Sequence, residues 1–205
     1  MMSLSWPEPL LIAQNIKGTV PIAHSHCVGS KDLSVKYKLL DCYGRMRLNK
    51  KKYYKIACGE TAGKDMFLSD DFTVIQNGID FSQCRFSQKS RYSIRRKYDI
   101  SDDTFLIGHV GRMSAQKNYP FILNLFMDFL KSRPNSKLLL IGNVCNDANI
   151  IKIVNDNGIA NKVIFAGTLT DCKAYYSAMD VFLLPSLFEG VSVAMIEAQV
   201  SGLPC

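Results

Sequence analysis

Apolar residues fall in short runs separated by stretches of helical spacing, and the alternation is most regular from Thr104 onward. There the runs 105–110, 137–141, 162–165 and 181–184 predict strands, with helices over 117–131, 147–157, 171–178 and 192–200. Apolar runs of four to six residues alternating with helices predict a parallel sheet covered on both faces. The first part of the chain shows the same logic less regularly. It predicts a short helix near 10–16, a strand over 19–23 that ends on His24-Ser25-His26, and a long basic helix over 30–53. Leu33, Tyr37, Leu40, Tyr43 (or Gly44) and Met46 give that helix an apolar face. A strand at 53–58, a helix at 60–68 and a strand at 72–75 follow, closed by a sharp turn at Asn77-Gly78. Residues 81–103 are polar and basic, with a short helix at about 88–98, and suit a solvated linker. The expected organisation is thus 1–80, a linker at 81–103, and 104–205: two α/β units of the Rossmann-like parallel type.

Charge changes the picture only in the first quarter. The 205 residues carry a net charge of +7. Residues 1–55 hold ten Lys and Arg against three Asp and Glu, and the rest is balanced at fifteen of each. Lys31, Lys36, Lys38, Arg45, Arg47 and the run Lys50-Lys51-Lys52 make up most of the excess. A solvated helix face is the simplest reading, attraction to a membrane surface the alternative. Nucleic acid ranks last because no recognised module accompanies the basic stretch. Seven cysteines without a C-x-x-C pair exclude a zinc-ligand spacing and read as core residues in a reducing compartment. The N-terminus has neither the charged region of a signal peptide nor the length of a span, which gives a cytoplasmic expectation.

Chemistry concentrates in Pro185 to Gln199. Glu189 and Glu197 bracket a Gly-containing turn between a predicted strand and a predicted helix that stops at Ser201-Gly202-Leu203-Pro204. Ser192 is the expected N-cap. The amides of Gly190, Val191 and Ser192 would face an anion, since a helix N-terminus presents unpaired N–H groups and the positive end of its dipole. Carboxylates accept hydroxyl hydrogen bonds, so the two Glu suit a sugar. A second group of residues follows the strand at 105–110: Gly111-Arg112-Met113-Ser114-Ala115-Gln116-Lys117-Asn118. Arg112 and Lys117 place a bidentate clamp and a point charge on the carboxyl edge of the sheet, where a diphosphate is expected. Lys117 at a helix start opposes the dipole and therefore calls for an anionic partner. Gly59 to Asp65 fails as a phosphate loop, because its glycine spacing is one residue short and Asp65 replaces the required Ser or Thr.

These two stretches carry a resemblance. E-G-x-x-x-x-x-x-E-A followed by S-G-L-P, and G-R-x-x-x-Q-K-N before it, resemble group 1 glycosyltransferases, which are retaining, metal-independent enzymes of the GT-B fold. The H-S-H after the first strand and N-G-I-D at 77–80 are similar to the same family. The resemblance implies a hexosyltransferase of the bacterial capsule or exopolysaccharide type. It would move a sugar from a nucleoside diphosphate sugar, UDP-linked by expectation, to a saccharide or lipid-linked saccharide with retention. It implies catalytic roles for Glu189, on the hydroxyls of the transferred sugar, and for His24 and His26, lining the cleft near it. Donor binding falls to Arg112 and Lys117 at the diphosphate and Glu197 at the ribose, with Gly111, Asn118, Gly190, Val191 and Ser192 beside them. Gly142-Asn143 and Gly167-Thr168 are expected near the diphosphate and nucleobase. No cofactor or metal is expected, and no D-x-D of the metal-dependent class occurs in the chain. Expected partners are the donor, the acceptor and, peripherally, the inner face of the plasma membrane. The chain is shorter than the family, so a fragment of a parent of about 350–400 residues is expected, weakly active or inactive alone. The alternatives are a non-catalytic sugar-nucleotide-binding module and another GT-B enzyme such as an epimerase.

Overall fold

The computed structural model describes residues 7–26, 28, 35–49 and 53–205. Two compact units emerge: Met1–Asn77 with Phe188–Val191, and Gly78–Leu187 with Ser192–Cys205. Cys27, Lys31, Leu33 and Lys50 to Lys52 lie outside the described residues.

The first unit contains helix α1 (Glu8–Ala13), strand β1 (Ile22–Ser25), helix α2 (Val35–Asn49), strand β2 (Tyr54–Ala57), helix α3 (Glu60–Phe67) and the short strand β3 (Thr73–Val74). Its strands are parallel in the order β1-β2-β3, with Ile22 opposite Tyr54 and Ile56 opposite Thr73. β1 starts three residues later than expected, because Pro21 has no N–H to give to a ladder. His24 therefore lies inside the strand and His26 just after it. Leu10, Ala23, Met66 and Phe67 form a small core with Tyr53 and Phe72 against it. The apolar face expected on α2 is not buried: Leu40, Tyr43 and Met46 are exposed, while Gly44 is buried. The expected turn at Asn77-Gly78 does not form, and neither residue has a positive φ. Asn77 instead spends its side-chain amide on the Val191 carbonyl at 2.7 Å.

The second unit begins with helices α4 (Phe81–Cys84) and α5 (Gln88–Lys97). Strands β4 (Phe105–Val110), β5 (Ser136–Ile141), β6 (Val163–Gly167) and β7 (Val181–Phe182) then alternate with helices α6 (Tyr119–Ser132), α7 (Ala148–Asp156), α8 (Lys173–Tyr176) and α9 (Val193–Val200). The sheet is wholly parallel in the order β6-β5-β4-β7. Alternate strand residues point to opposite faces. Leu138 and Leu140 pack with Tyr119, Ile122, Leu123 and Phe126 on one side, and Leu139 and Ile141 with Tyr176, Phe182 and Ala198 on the other. Both faces are covered, which is why these strands read as unbroken apolar runs. Asp147 caps α7 by accepting from Asn149 and Ile150 amides. Gly202 ends α9 at φ 79, donating to Gln199 O while Leu203 donates to Ala198 O, a Schellman closure that a left-handed glycine permits.

The basic stretch expected as a solvated linker is instead part of this unit. Arg95 is 1% exposed. Its guanidinium donates to the carbonyls of Ala178 and Ser101 at 2.8 Å each and to that of Thr104, and reaches Asp180 at 3.4 Å. Asp180 also accepts from Arg91 at 2.8 Å and from the Leu106 amide at 2.7 Å. The two terminal nitrogens of Arg95 serve carbonyls of two loops and a strand end, which explains an arginine in the interior, while Nε has no hydrogen-bond partner among the described residues. The cysteines also depart from expectation. Cys58 and Cys84 are buried, but Cys42, Cys145 and Cys205 are exposed.

Candidate donor site

In an open parallel sheet, ligands bind beyond the carboxyl ends of the strands where successive connections leave in opposite directions. Here β4 leads to β5 and β6 on one side, and β7 returns to the other. The crevice at the carboxyl ends of β4 and β7 is that place, and the Gly111–Asn118 segment emerges directly into it.

Gly111, Met113, Gln116 and Asn118 of that segment are held by neighbouring strand ends and loops. Gly111 N–H continues the ladder to Ile141 O at 3.0 Å, and the Tyr119 phenol donates to Gly111 O at 2.7 Å. Tyr119 is fully buried, and burial pushes its pKa upward, so it remains a donor at any working pH. Gly142, at φ 141, allows the β5 end to approach so closely that a Cβ there would lie 1.9 Å from Gly111 O. Asn143 accepts the Met113 amide at 2.7 Å. Across the crevice, Leu187 N–H donates to Gln116 O at 2.9 Å, and the Asn118 side chain reaches Pro185 O at 3.5 Å. The two loops thus form one backbone-locked rim.

Lys117 does not begin a helix as expected. It ends a single 3₁₀ turn, Ala115–Lys117, and Asn118 at φ 56 separates it from α6. It still stands one residue before the N-cap of α6, next to the positive end of that helix's dipole. Its stem passes 3.2 Å from where a Gly111 Cβ would be, so glycine there leaves room for the lysine. Arg112 is exposed and makes no hydrogen bond or ion pair among the described residues. Ser192 takes the N-cap position of α9 with an extended backbone, yet its hydroxyl does not cap the helix. Glu197, half-buried on α9, accepts from the Tyr176 phenol through Oε2 at 2.8 Å.

The remaining sequence-predicted residues belong to the first unit. Glu189 and Gly190 lie in its Phe188–Val191 segment, and the Val191 carbonyl holds Asn77. His24 and His26 are exposed, with ring centroids 4.0 Å apart. Partial desolvation first, and His26 second, depress the pKa of His24 below the usual imidazole value.

Residues 90–205 match the family model for glycosyl transferases group 1. The chain belongs to this family. Among curated group 1 relatives, it is 31% identical over 154 residues to the putative glycosyltransferase EpsF of Bacillus subtilis, covering 73% of this chain and 40% of EpsF. It is 28% identical over 137 residues to the UDP-Gal:alpha-D-GlcNAc-diphosphoundecaprenol alpha-1,3-galactosyltransferase of Escherichia coli, covering 65% of this chain and 35% of that protein. Among solved structures, Anabaena Alr3699/HepE in complex with UDP-glucose superposes with a TM-score of 0.77 at 20% identity, over 97% of this chain and 57% of that one. The GT-B type α/β fold expected from the motifs is the fold observed. The chain spans well under half the length of these two curated relatives.

Three residues of the site were not singled out from sequence. Tyr119 follows the Gly111–Asn118 segment directly, but nothing in the spacing shows that its hydroxyl turns back onto Gly111. His109 is fully buried, with Nδ1 2.8 Å from Leu183 O and its ring edge-on to Tyr119 at 4.9 Å. A carbonyl only accepts, so Nδ1 carries the proton and ties β4 to the chain leaving β7. Its signal was available, as the one ionisable residue in an otherwise apolar strand. Tyr176 gave no signal at all.

Proposed function

We propose that the protein carrying this chain is a retaining hexosyltransferase of cell-surface polysaccharide synthesis. It takes its sugar from a UDP-linked donor and delivers it to a saccharide or lipid-linked saccharide in the cytoplasm, at the inner membrane face. The observation that carries this reading is Arg112: an exposed guanidinium with no counter-ion among the described residues, on a backbone-locked rim at the crevice of a parallel sheet. A cation at that edge suits a diphosphate, and the rim sets where its backbone stands before a ligand arrives. Family membership, the UDP-glucose of the HepE complex and the UDP-galactose of the Escherichia coli relative's name support the donor class.

In this reading the glycosidic bond to the diphosphate lengthens toward an oxocarbenium-like transition state, and negative charge builds on the departing phosphate oxygens. Arg112 stabilises it with paired N–H donors and Lys117 with a point charge, the role that a metal ion fills in other transferases. Glu197 accepts from ribose hydroxyls and Glu189 from hydroxyls of the transferred sugar. The family resemblance assigns His24 and His26 to the transferred sugar, and a depressed pKa keeps His24 neutral near pH 7. Gly190, Val191 and Ser192 supply amides, and Gly111 and Asn118 shape the rim. No metal takes part.

The membrane reading rests on α2. Val35, Leu39, Tyr43 and Met46 recur three to four residues apart and are all exposed, beside Lys36 and Lys38. An apolar stripe flanked by cations suits an anionic bilayer surface. Flotation with acidic liposomes at low salt, lost on Lys36→Glu/Lys38→Glu, supports it; unchanged flotation removes it.

Calorimetric titration with UDP, GDP and ADP tests the donor assignment. Saturable binding of UDP, weakened at least about tenfold in Arg112→Ala, is expected, the loss corresponding to one charge-assisted contact. Equal binding of the three diphosphates, or UDP binding indifferent to Arg112, would overturn it.

A further inference from the structure

Glu197 is half-buried, and among the described residues its one hydrogen-bond partner is the phenol of Tyr176, on Oε2. Oε1 has none. Tyr176 is the last residue of α8, fully buried, and its ring packs edge-on against Phe182 of β7 with centroids 5.7 Å apart. Burial drives its pKa far upward, so the hydroxyl keeps its proton and acts on Glu197 only as a donor. The other polar atom in reach is Cys172 Sγ at 4.0 Å, a weak partner at that distance. A side chain with three freely rotating bonds on a partly exposed helix would otherwise sample several rotamers. One of its oxygens is instead pinned by a donor whose own position is fixed by the core.

We propose that Tyr176 is a positioning residue for the donor site: it holds Glu197 so that the open oxygen accepts from a vicinal diol, the ribose of the nucleotide. The inference rests on the donor reading above and deepens it. Accepting both diol hydroxyls on one oxygen needs the carboxylate in one orientation, and the phenol supplies that orientation before ligand arrives. Tyr176 touches no ligand itself; its contribution passes through Glu197.

The test compares UDP with 2′,3′-dideoxy-UDP, which keeps the base and diphosphate but lacks the diol. Wild type, Tyr176→Phe, Glu197→Gln and the double variant are titrated by calorimetry, with thermal unfolding run alongside. The expected result is a roughly five- to tenfold loss of UDP affinity in Tyr176→Phe with the dideoxy analogue bound as by wild type. The double variant should bind UDP no worse than Glu197→Gln alone, because Tyr176 acts through that carboxylate. Tyr176→Met, smaller but flexible enough to adapt to the space and also without the hydroxyl, repeats the measurement should the Phe variant not fold. Equal losses for UDP and the dideoxy analogue, or no loss for either, would overturn the positioning role. Failure of the donor reading looks different: wild type would bind the two nucleotides alike, and Glu197→Gln would leave UDP affinity unchanged.

Discussion

The two units bury apolar residues in opposite proportions. Among the described residues, the second encloses twelve buried residues on one face of its sheet and eleven on the other, whereas the main core of the first has four. The first carries most of the exposed large apolar side chains among the described residues, among them Val20, Ile22, Val35, Leu39 and Tyr54. Apolar spacing shows that a face is suited to burial. It does not show what buries it. In the second unit helices cover both faces of the sheet, so spacing and burial coincide; in the first they diverge, most visibly along α2.

The sharpest test of this contrast is Arg95→Ala. It removes a buried guanidinium that donates to three carbonyls and Asp180, and leaves Asp180 with Arg91 and the Leu106 amide. Breaking one side of a buried ion pair costs about 3–5 kcal/mol. Amide hydrogen exchange should show β4 and β5 losing protection while β2 and α3 of the first unit keep theirs. Equal loss in both units would mean that they unfold as one.

A matched pair of leucines follows. Leu139→Ala, in the fully buried centre of β5, should destabilise by about 2–5 kcal/mol through lost transfer energy and a residual cavity. Leu39→Ala, at a position 67% exposed, should change stability by no more than about 0.5 kcal/mol. Urea unfolding of the two variants checks both figures, and a large effect at Leu39 would show that α2 is covered in solution.

Gly142→Ala should come next, at about 1–3 kcal/mol, since φ 141 is strained for alanine and the Cβ meets Gly111 O. The rim must shift to admit it. UDP affinity should therefore fall by more than the stability loss explains, which calorimetry on the folded fraction would reveal.

The same contrast explains what was legible in the sequence. β4 is found where apolar runs place it, and Gly111 to Asn118 emerges into the crevice because a strand end, a glycine and two cations are local features. The Schellman closure at Gly202 was equally local. What escaped were contacts between residues far apart in the chain. Arg95 looked like a solvated linker residue because its partners are 6 to 85 positions away. Tyr176 meets Glu197 across 21 positions, and no periodicity encodes where a hydroxyl points. The face of α2 was misjudged for the reason already given, and β1 slipped because a proline's missing donor outweighed the apolar character of Val20.

The smallest expected effect belongs to the histidine pair on β1. Desolvation and the neighbouring His26 both favour the neutral form of His24, so its folded pKa lies below that of the unfolded chain. The unfolded state then binds more protons between the two values, and the stabilising contribution, complete above the unfolded pKa, is lost as pH falls through the folded one. An NMR titration should place the His24 midpoint below 6.5, the unperturbed value. Replacing His26 by Ala should raise that midpoint without restoring it fully, because partial burial is the larger cause. Full restoration would assign the shift to charge alone, and a midpoint at or above 6.5 in the parent chain would mean that β1 presents His24 to water as freely as a loop does.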